Sequence, residues 1–182
     1  MTLETKIAGL LGYHTVRGAY SNARGVDLDD VTSFRANNLA LTSPLTKKGY
    51  WFTSYAMQQY LFQKSDDPKI GWGLFTLATL SDGNPNPIKW SILVGLAGNN
   101  LYAGRENDRW GVGFYHFGLS EALISGLAEL GDPRTSEGGV EAFYNLELMP
   151  WCYLSADVQV IQPWNPKKQQ EEIVALRLQT KF

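Results

Sequence analysis

The sequence has few of the residues that build metal sites and disulfides. Among 182 residues there is one cysteine, Cys152, and there are two histidines, His14 and His116. A single cysteine can form neither an internal disulfide nor a thiolate cluster, and two histidines leave little for an imidazole site. We therefore expect no metal and no cofactor.

Charge and long apolar runs are also scarce. Charged residues make up 19% of the chain, and 16 basic residues against 18 acidic ones give a net charge of −2. Such a balance argues against a nucleic-acid partner that would be held by a basic face. The longest apolar run, 92–98, is far shorter than the about 20 residues of a membrane-spanning helix. Residues 1–6 show neither the basic nor the apolar region of a signal peptide.

What the chain does have is an alternation of apolar and polar residues with period two, which is typical of strands. It is clearest over 140–148, where the even positions are apolar and the odd positions are mostly polar. We expect about nine strands, near 5–20, 31–42, 48–63, 72–80, 89–96, 109–118, 140–148, 152–161 and 174–182. Ser120 as a cap, leucines on one face and Gly131 as a stop predict one short helix inside a long loop.

Two architectures fit this pattern of strands. In a soluble sandwich the 13% of aromatic residues would fill the core. In a membrane β-barrel, strands of about 9–11 residues would face lipid on one side, and tryptophans near strand ends would lie at the membrane surface. Composition alone does not separate the two.

The last segment, 174–182, favours the barrel. Its alternating residues end in Phe182 with nothing downstream, and it resembles the C-terminal strand of bacterial outer-membrane proteins. In those proteins the barrel-assembly machinery reads this strand, and an amphipathic strand with a free edge is a good template for such pairing. The resemblance therefore implies that machinery as a partner.

Longer stretches resemble the carbohydrate-selective porin family (OprB type). They are 71–75, 81–88, 95–96, 104–113, 141–145 and 150–163, in the family's order, and the resemblance covers most of 48–182. Leu77 stands where that family would have a basic residue. The resemblance implies an all-β, antiparallel transmembrane β-barrel in the bacterial outer membrane, surrounded by its lipid. It would pass sugars, glucose-like or small oligosaccharides, by passive diffusion.

The family's barrels are about twice as long as this chain and have about sixteen strands. We therefore expect residues 1–182 to be a single porin β-barrel domain that forms the C-terminal part of a longer barrel, with about nine strands and one short loop helix.

Candidate pore-lining residues follow from the polar side of the strands. The residues that we expect to face the lumen and to bond sugar hydroxyls are Glu141, Asn145, Asp157, Gln159 and Arg177. For Glu141 and Arg177, a role in a network that stiffens the barrel wall fits equally well. Phe143 and Tyr153 share that side and could stack on sugar rings. Three more candidates, Arg105, Asp108 and Arg109, fit a salt-bridge cluster at the barrel rim better than a sugar contact.

Two other functions deserve comparison. Glu137 and Glu141 could suggest the carboxyl pair of a glycosidase, but Glu137 stands in a turn-like segment and no other catalytic motif is present, so we expect no enzyme. The second alternative is a small closed barrel of eight or ten strands that has a structural or binding role and conducts no sugar. The chain length fits this alternative better, whereas the resemblance favours the porin.

Overall fold

The computed structural model describes residues 2–30 and 46–181, and these form one antiparallel sheet with a helical segment at one end. The strands are β1 (Thr2–Ile7), β2 (Leu10–Val26), β3 (Thr46–Gln63), β4 (Gly71–Ser81), β5 (Ile88–Asn99), β6 (Arg109–Leu119), β7 (Glu137–Met149), β8 (Cys152–Gln162) and β9 (Glu171–Thr180). Helix α1 spans Glu121–Glu129, and a 3₁₀ turn spans Leu28–Asp30.

The nine strands form a simple meander. Each strand pairs with the next one along the chain, and β1 and β9 are the two edges of the sheet in the described residues. The sheet confirms the predicted all-β antiparallel class and has the expected nine strands in the described residues, although these do not correspond one to one with the predicted segments. The prediction of one strand over 5–20 is wrong, because this stretch contains a hairpin between β1 and β2. The strand predicted near 31–42 lies outside the described residues.

The hairpin between β1 and β2 turns at Ala8 and Gly9. Both residues have positive φ, 51° and 82°, as a two-residue type I′ turn requires. Glycine adopts this conformation freely, whereas alanine does not. Because alanine is not typical of turns, the sequence pattern predicted one continuous strand where the structure has two strands and a turn.

The links between strands alternate between the two ends of the sheet, and those at one end are shorter on average than those at the other. The turn at 8–9 and the links 64–70, 100–108 and 150–151 lie at one end. The links 82–87, 120–136 and 163–170 lie at the other end, together with the segment that follows Val26. This arrangement places the predicted helical loop and the loop after β8 at the same end of the sheet.

Exposure along the strands is the reverse of that in a water-soluble protein. On β7 the apolar Val140 and Tyr144 are exposed, whereas Glu141, Phe143 and Asn145 at the alternate positions are half-buried. On β9, Val174 is 78% exposed. Among the described residues the buried hydrophobic ones number three, and they are Leu28, Leu119 and Cys152. The sheet therefore has no apolar core of its own, and its apolar face requires an apolar environment.

The end with the long links carries an interlocked group of loops. The Leu28 N–H donates to Asn84 Oδ1 at 3.0 Å, and Asn84 Nδ2 donates to Asp27 and Asp29 at 2.7 and 2.9 Å. Helix α1 also contacts the 3₁₀ turn. These bonds hold the segment after β2 against the link between β4 and β5.

Helix α1 confirms the predicted helix inside the long loop. Ser120 occupies the N-cap position with extended backbone angles, but its side chain makes no cap hydrogen bond. Its N–H instead donates to the Pro87 carbonyl at 2.8 Å. In the described part of the chain, no helix is both long and apolar enough to cross a membrane.

Candidate functional site

The pore-lining candidates on β7, β8 and β9 share one face of the sheet. Residues paired across neighbouring strands point to the same side. Glu141 pairs with Gln159, and Phe143 pairs with Asp157. Asn145 pairs with Ser155, which in turn pairs with Arg177. The alternation predicted this shared face, and the register brings these side chains together; we refer to it as the polar face.

The side chains of the polar face bind one another across and along the strands. Asn145 Nδ2 donates to Ser155 Oγ at 3.1 Å, and Gln159 Nε2 donates to Asp157 Oδ1 at 2.9 Å. The Glu141 carboxyl lies close enough to Asp157 and Arg177 to interact with both. The wall therefore carries a cross-linked layer of carboxylate, amide and guanidinium groups. These groups are half-buried or exposed, so they retain capacity to bond a solute.

Tyr153 lies near one end of this face, and its ring is engaged. The Lys181 Nζ stands 4.7 Å from the ring centroid, a cation–π distance. The Tyr153 hydroxyl lies 3.4 Å from Glu147 Oε1. One side of the ring is therefore covered by the lysine, which leaves less of it for a sugar than the sequence suggested.

At the end with the short links, Asp108 is the centre of a buried network. Its carboxylate accepts from Arg105 Nε and Nη2 at 2.8 and 2.6 Å, from the Tyr144 hydroxyl at 2.7 Å and from the Glu147 N–H at 2.7 Å. Asp108 is 0% exposed. Arg105 and Asp108 thus form a salt bridge at this end of the sheet, and the buried Asp108 carboxylate is not accessible to a solute.

The network also sets the acidity of Asp108. Burial alone would raise the pKa of this carboxyl, but the hydrogen bonds from Tyr144, Glu147 and Arg105 together hold its pKa below the ordinary value of 3.8. The carboxylate is therefore the stable form at neutral pH. Asp108 lies one residue before β6, so its bond to the Glu147 N–H ties β7 to the start of β6.

Arg109 does not belong to this cluster. It pairs with Asn99 on one side and with Asn145 on the other, so it points to the polar face. There it lines a hollow of about 320 Å³ that extends over β3 to β7. The sequence had assigned Arg109 to the rim together with Arg105, because both lie in one short stretch.

The hollow also contains residues that sequence reasoning missed. Besides Arg109, Phe143 and Asn145, its lining includes Gln58, Tyr60, Phe75 and Asn99. The set combines aromatic rings with amide and guanidinium groups. The missing signal was register: Asn99 pairs with Arg109, and this pair could have been aligned had the bounds of β5 and β6 been known.

A metal site would need a cluster of ligands, and the glycosidase alternative would pair Glu137 with Glu141. No group of three histidine, cysteine, aspartate or glutamate side chains among them could hold a metal ion. Glu137 and Glu141 stand four residues apart on β7, which separates their Cα atoms by about 13 Å. The Glu137 carboxylate accepts from the Tyr115 hydroxyl and the Trp164 N–H.

Comparison with known proteins gives a family. Residues 3–182 match the family described as "Carbohydrate-selective porin, OprB family". The fold is similar to that of OprB from Pseudomonas putida in its high-pH structure, with a TM-score of 0.83 and 20% sequence identity. The match covers 100% of this chain and 47% of that one, so this chain spans about half the length of that protein. No curated protein matches the sequence. Because the family match spans nearly every residue, the chain belongs to the carbohydrate-selective porin family, OprB type.

Proposed function

We propose that this chain forms part of the wall of an outer-membrane channel through which sugars diffuse passively and selectively. The observation that carries the proposal is the reversed exposure along β7, with apolar side chains exposed on one face and polar ones half-buried on the other. A sheet of this kind suits lipid on one side and water on the other. Membership of the porin family supports the same conclusion.

The chemistry of the polar face suits weak binding of sugars. A porin makes and breaks no covalent bonds, so it requires no cofactor and no ATP. Carboxylate, amide and guanidinium groups exchange their hydrogen bonds with water for bonds with hydroxyls, and each exchange contributes only about 0.5–3 kcal/mol. Binding of this strength lets a solute enter and leave, as conduction requires.

The remaining wall of the channel is part of the same proposal. The aligned region covers 47% of the compared chain, and we propose that residues 1–182 form the C-terminal part of one longer barrel domain. Outer-membrane lipid would cover the apolar face, and the barrel-assembly machinery would read β9. Phe182 itself lies outside the described residues. A small closed barrel has less support, because β1 and β9 are opposite edges of the described sheet.

Neighbouring residues on β7 provide a matched test. In the full protein that carries this chain, Glu141→Trp would place a large ring in the channel, whereas Val140→Trp would place the same ring in lipid. Proteoliposome swelling in glucose should slow markedly for the first variant and stay at the wild-type rate for the second. The alternating polarity of the wall would be refuted if both variants swelled alike or if Val140→Trp alone blocked the flux.

A further inference from the structure

Two phenylalanine side chains on the polar face lie along the sheet rather than standing up from it. Phe75 on β4 pairs with Gly95 on β5, which pairs with Gly113 on β6. A methyl group added to Gly95 would stand 2.6 Å from Phe75 Cζ, and one added to Gly113 would stand 3.3 Å from the same atom. The tip of the ring therefore occupies the space where residue 95 would carry its side chain.

Phe143 on β7 does the same from the opposite direction. It pairs with Gly111 on β6, which pairs with Ala97 on β5. A methyl group on Gly111 would stand 2.5 Å from Phe143 Cε1 and 2.8 Å from its Cζ. Paired Cβ atoms are about 4.5–5.5 Å apart, close to the length of a phenyl side chain. A ring that reaches its neighbour's Cβ position must extend sideways across the strand.

The two rings thus approach one strip of small residues from both sides. Phe75 reaches inward from β4 and Phe143 from β7, and the strip beneath them on β5 and β6 is made of glycine and alanine. Both rings are half-buried and both line the hollow on the polar face. Both side chains therefore lie over the glycines of β5 and β6 and form part of the lining of the hollow.

Polar groups border this pair of rings. Asn99, Arg109 and Asn145 line the same hollow and lie in the next row of paired residues. A pyranose has the complementary chemistry: C–H groups on the faces of its ring and hydroxyls around its rim. Flat aromatic rings beside amide and guanidinium donors suit both parts of such a molecule.

We propose that Phe75 and Phe143 form a stacking platform for pyranose sugars, with Gly95, Gly111 and Gly113 as positioning residues that let the two side chains lie along the sheet. The platform rests on the proposed sugar channel and adds to it a source of selectivity. It favours a cyclic sugar such as glucose over sorbitol, an acyclic polyol of similar size that bonds the same polar groups but has no rigid apolar face.

The test compares glucose with sorbitol in the full protein that carries this chain. Proteoliposome swelling gives the rate for each solute, and the ratio of the two rates reports selectivity independently of how many channels insert. Phe75→Leu and Phe143→Leu remove a ring face and keep an apolar side chain. Each should lower the glucose-to-sorbitol ratio by about two- to tenfold. Phe114→Leu, on the exposed apolar face of β6, should leave it unchanged.

The role of the positioning glycines requires a separate variant. Gly111→Ala should push the Phe143 ring off the sheet, because the three atoms nearest to the new methyl group all belong to side chains. The ratio should fall as in Phe143→Leu, and adding Gly111→Ala to Phe143→Leu should lower it no further. Gly18→Ala, whose methyl group would meet nothing nearer than 3.5 Å, is the matched control.

The outcomes separate this inference from the proposed function. If the wild-type protein passes neither solute, the proposed function as a sugar channel is refuted. If it passes both, and Phe75→Leu and Phe143→Leu keep the wild-type ratio, the channel stands and the platform is refuted. A fall in the ratio for Phe114→Leu as large as that for Phe75→Leu would also overturn the platform.

Discussion

Replacing Asp108 by asparagine tests how the rim is held together. The carboxylate serves three donor groups, from Arg105, Tyr144 and the Glu147 backbone. An asparagine keeps one acceptor oxygen and turns an NH₂ group toward donors. Hydrogen bonds to a charged partner contribute about 1.5–3 kcal/mol each. The Arg105 side chain is 40% exposed and can recover its hydration, so most of the loss comes from the other two donors. We expect Asp108→Asn to lower the stability of this network by about 3 kcal/mol.

Amide hydrogen exchange at Glu147 measures this loss directly. Its N–H donates to Asp108 Oδ1 at 2.7 Å, so opening of that bond exposes the proton to solvent. About 3 kcal/mol corresponds to a rise of roughly a hundredfold in the exchange rate, since each factor of ten is about 1.4 kcal/mol. In the folded Asp108→Asn variant, exchange at this amide should therefore be roughly a hundredfold faster than in the wild type.

Tyr144→Phe serves as the control for that measurement. It removes one donor and leaves the carboxylate with Arg105 and Glu147, so exchange at Glu147 should rise by less than about tenfold. If Asp108→Asn changed the exchange only a few-fold, the network would not hold the rim. If Tyr144→Phe had as large an effect as Asp108→Asn, the tyrosine and not the carboxylate would be the centre.

Three further predictions concern pH and the two ends of the sheet. Because the folded pKa of Asp108 lies below its ordinary value of 3.8, its contribution to stability is present above about pH 4 and disappears as the pH falls further. The difference in urea stability between wild type and Asp108→Asn should therefore shrink from pH 5 to pH 3. Asn84→Ala removes both bonds to Asp27 and Asp29, and limited proteolysis should cut after β2 several times faster, whereas unchanged cutting would contradict the role of Asn84. Ala8→Gly relieves a positive φ and should raise the free energy of unfolding by about 1 kcal/mol; a lower urea midpoint would contradict this.

The sequence predicted correctly those strands in which one face is uniformly apolar. On β7 every even position from Val140 to Leu148 is apolar, so both the strand and its facing could be read. On β4 the pattern is blurred, because Leu74, Phe75 and Leu77 place apolar residues on both faces. Phe75 therefore became visible as a site residue only through its pairing with Gly95.

Other features depend on backbone angles or burial, which residue types do not encode. The turn at Ala8 was missed because alanine rarely adopts a positive φ and so does not predict such a turn. The pairing of Arg105 with Asp108 could be expected from their spacing, but the complete burial of Asp108 could not. It arises from Tyr144 and Glu147, which are distant in sequence and reach Asp108 through the packing of β7 against the start of β6.

The number of strands in the meander fixes the polarity of its two edges. Each strand runs opposite to the one before it, so all odd-numbered strands point the same way, and β1 and β9 are therefore parallel to each other. An antiparallel barrel needs opposite polarity where its first and last strands meet. Any antiparallel barrel that contains this sheet must consequently add an odd number of further strands. Two copies set side by side in one membrane orientation would bring β9 of one against β1 of the other with the wrong polarity.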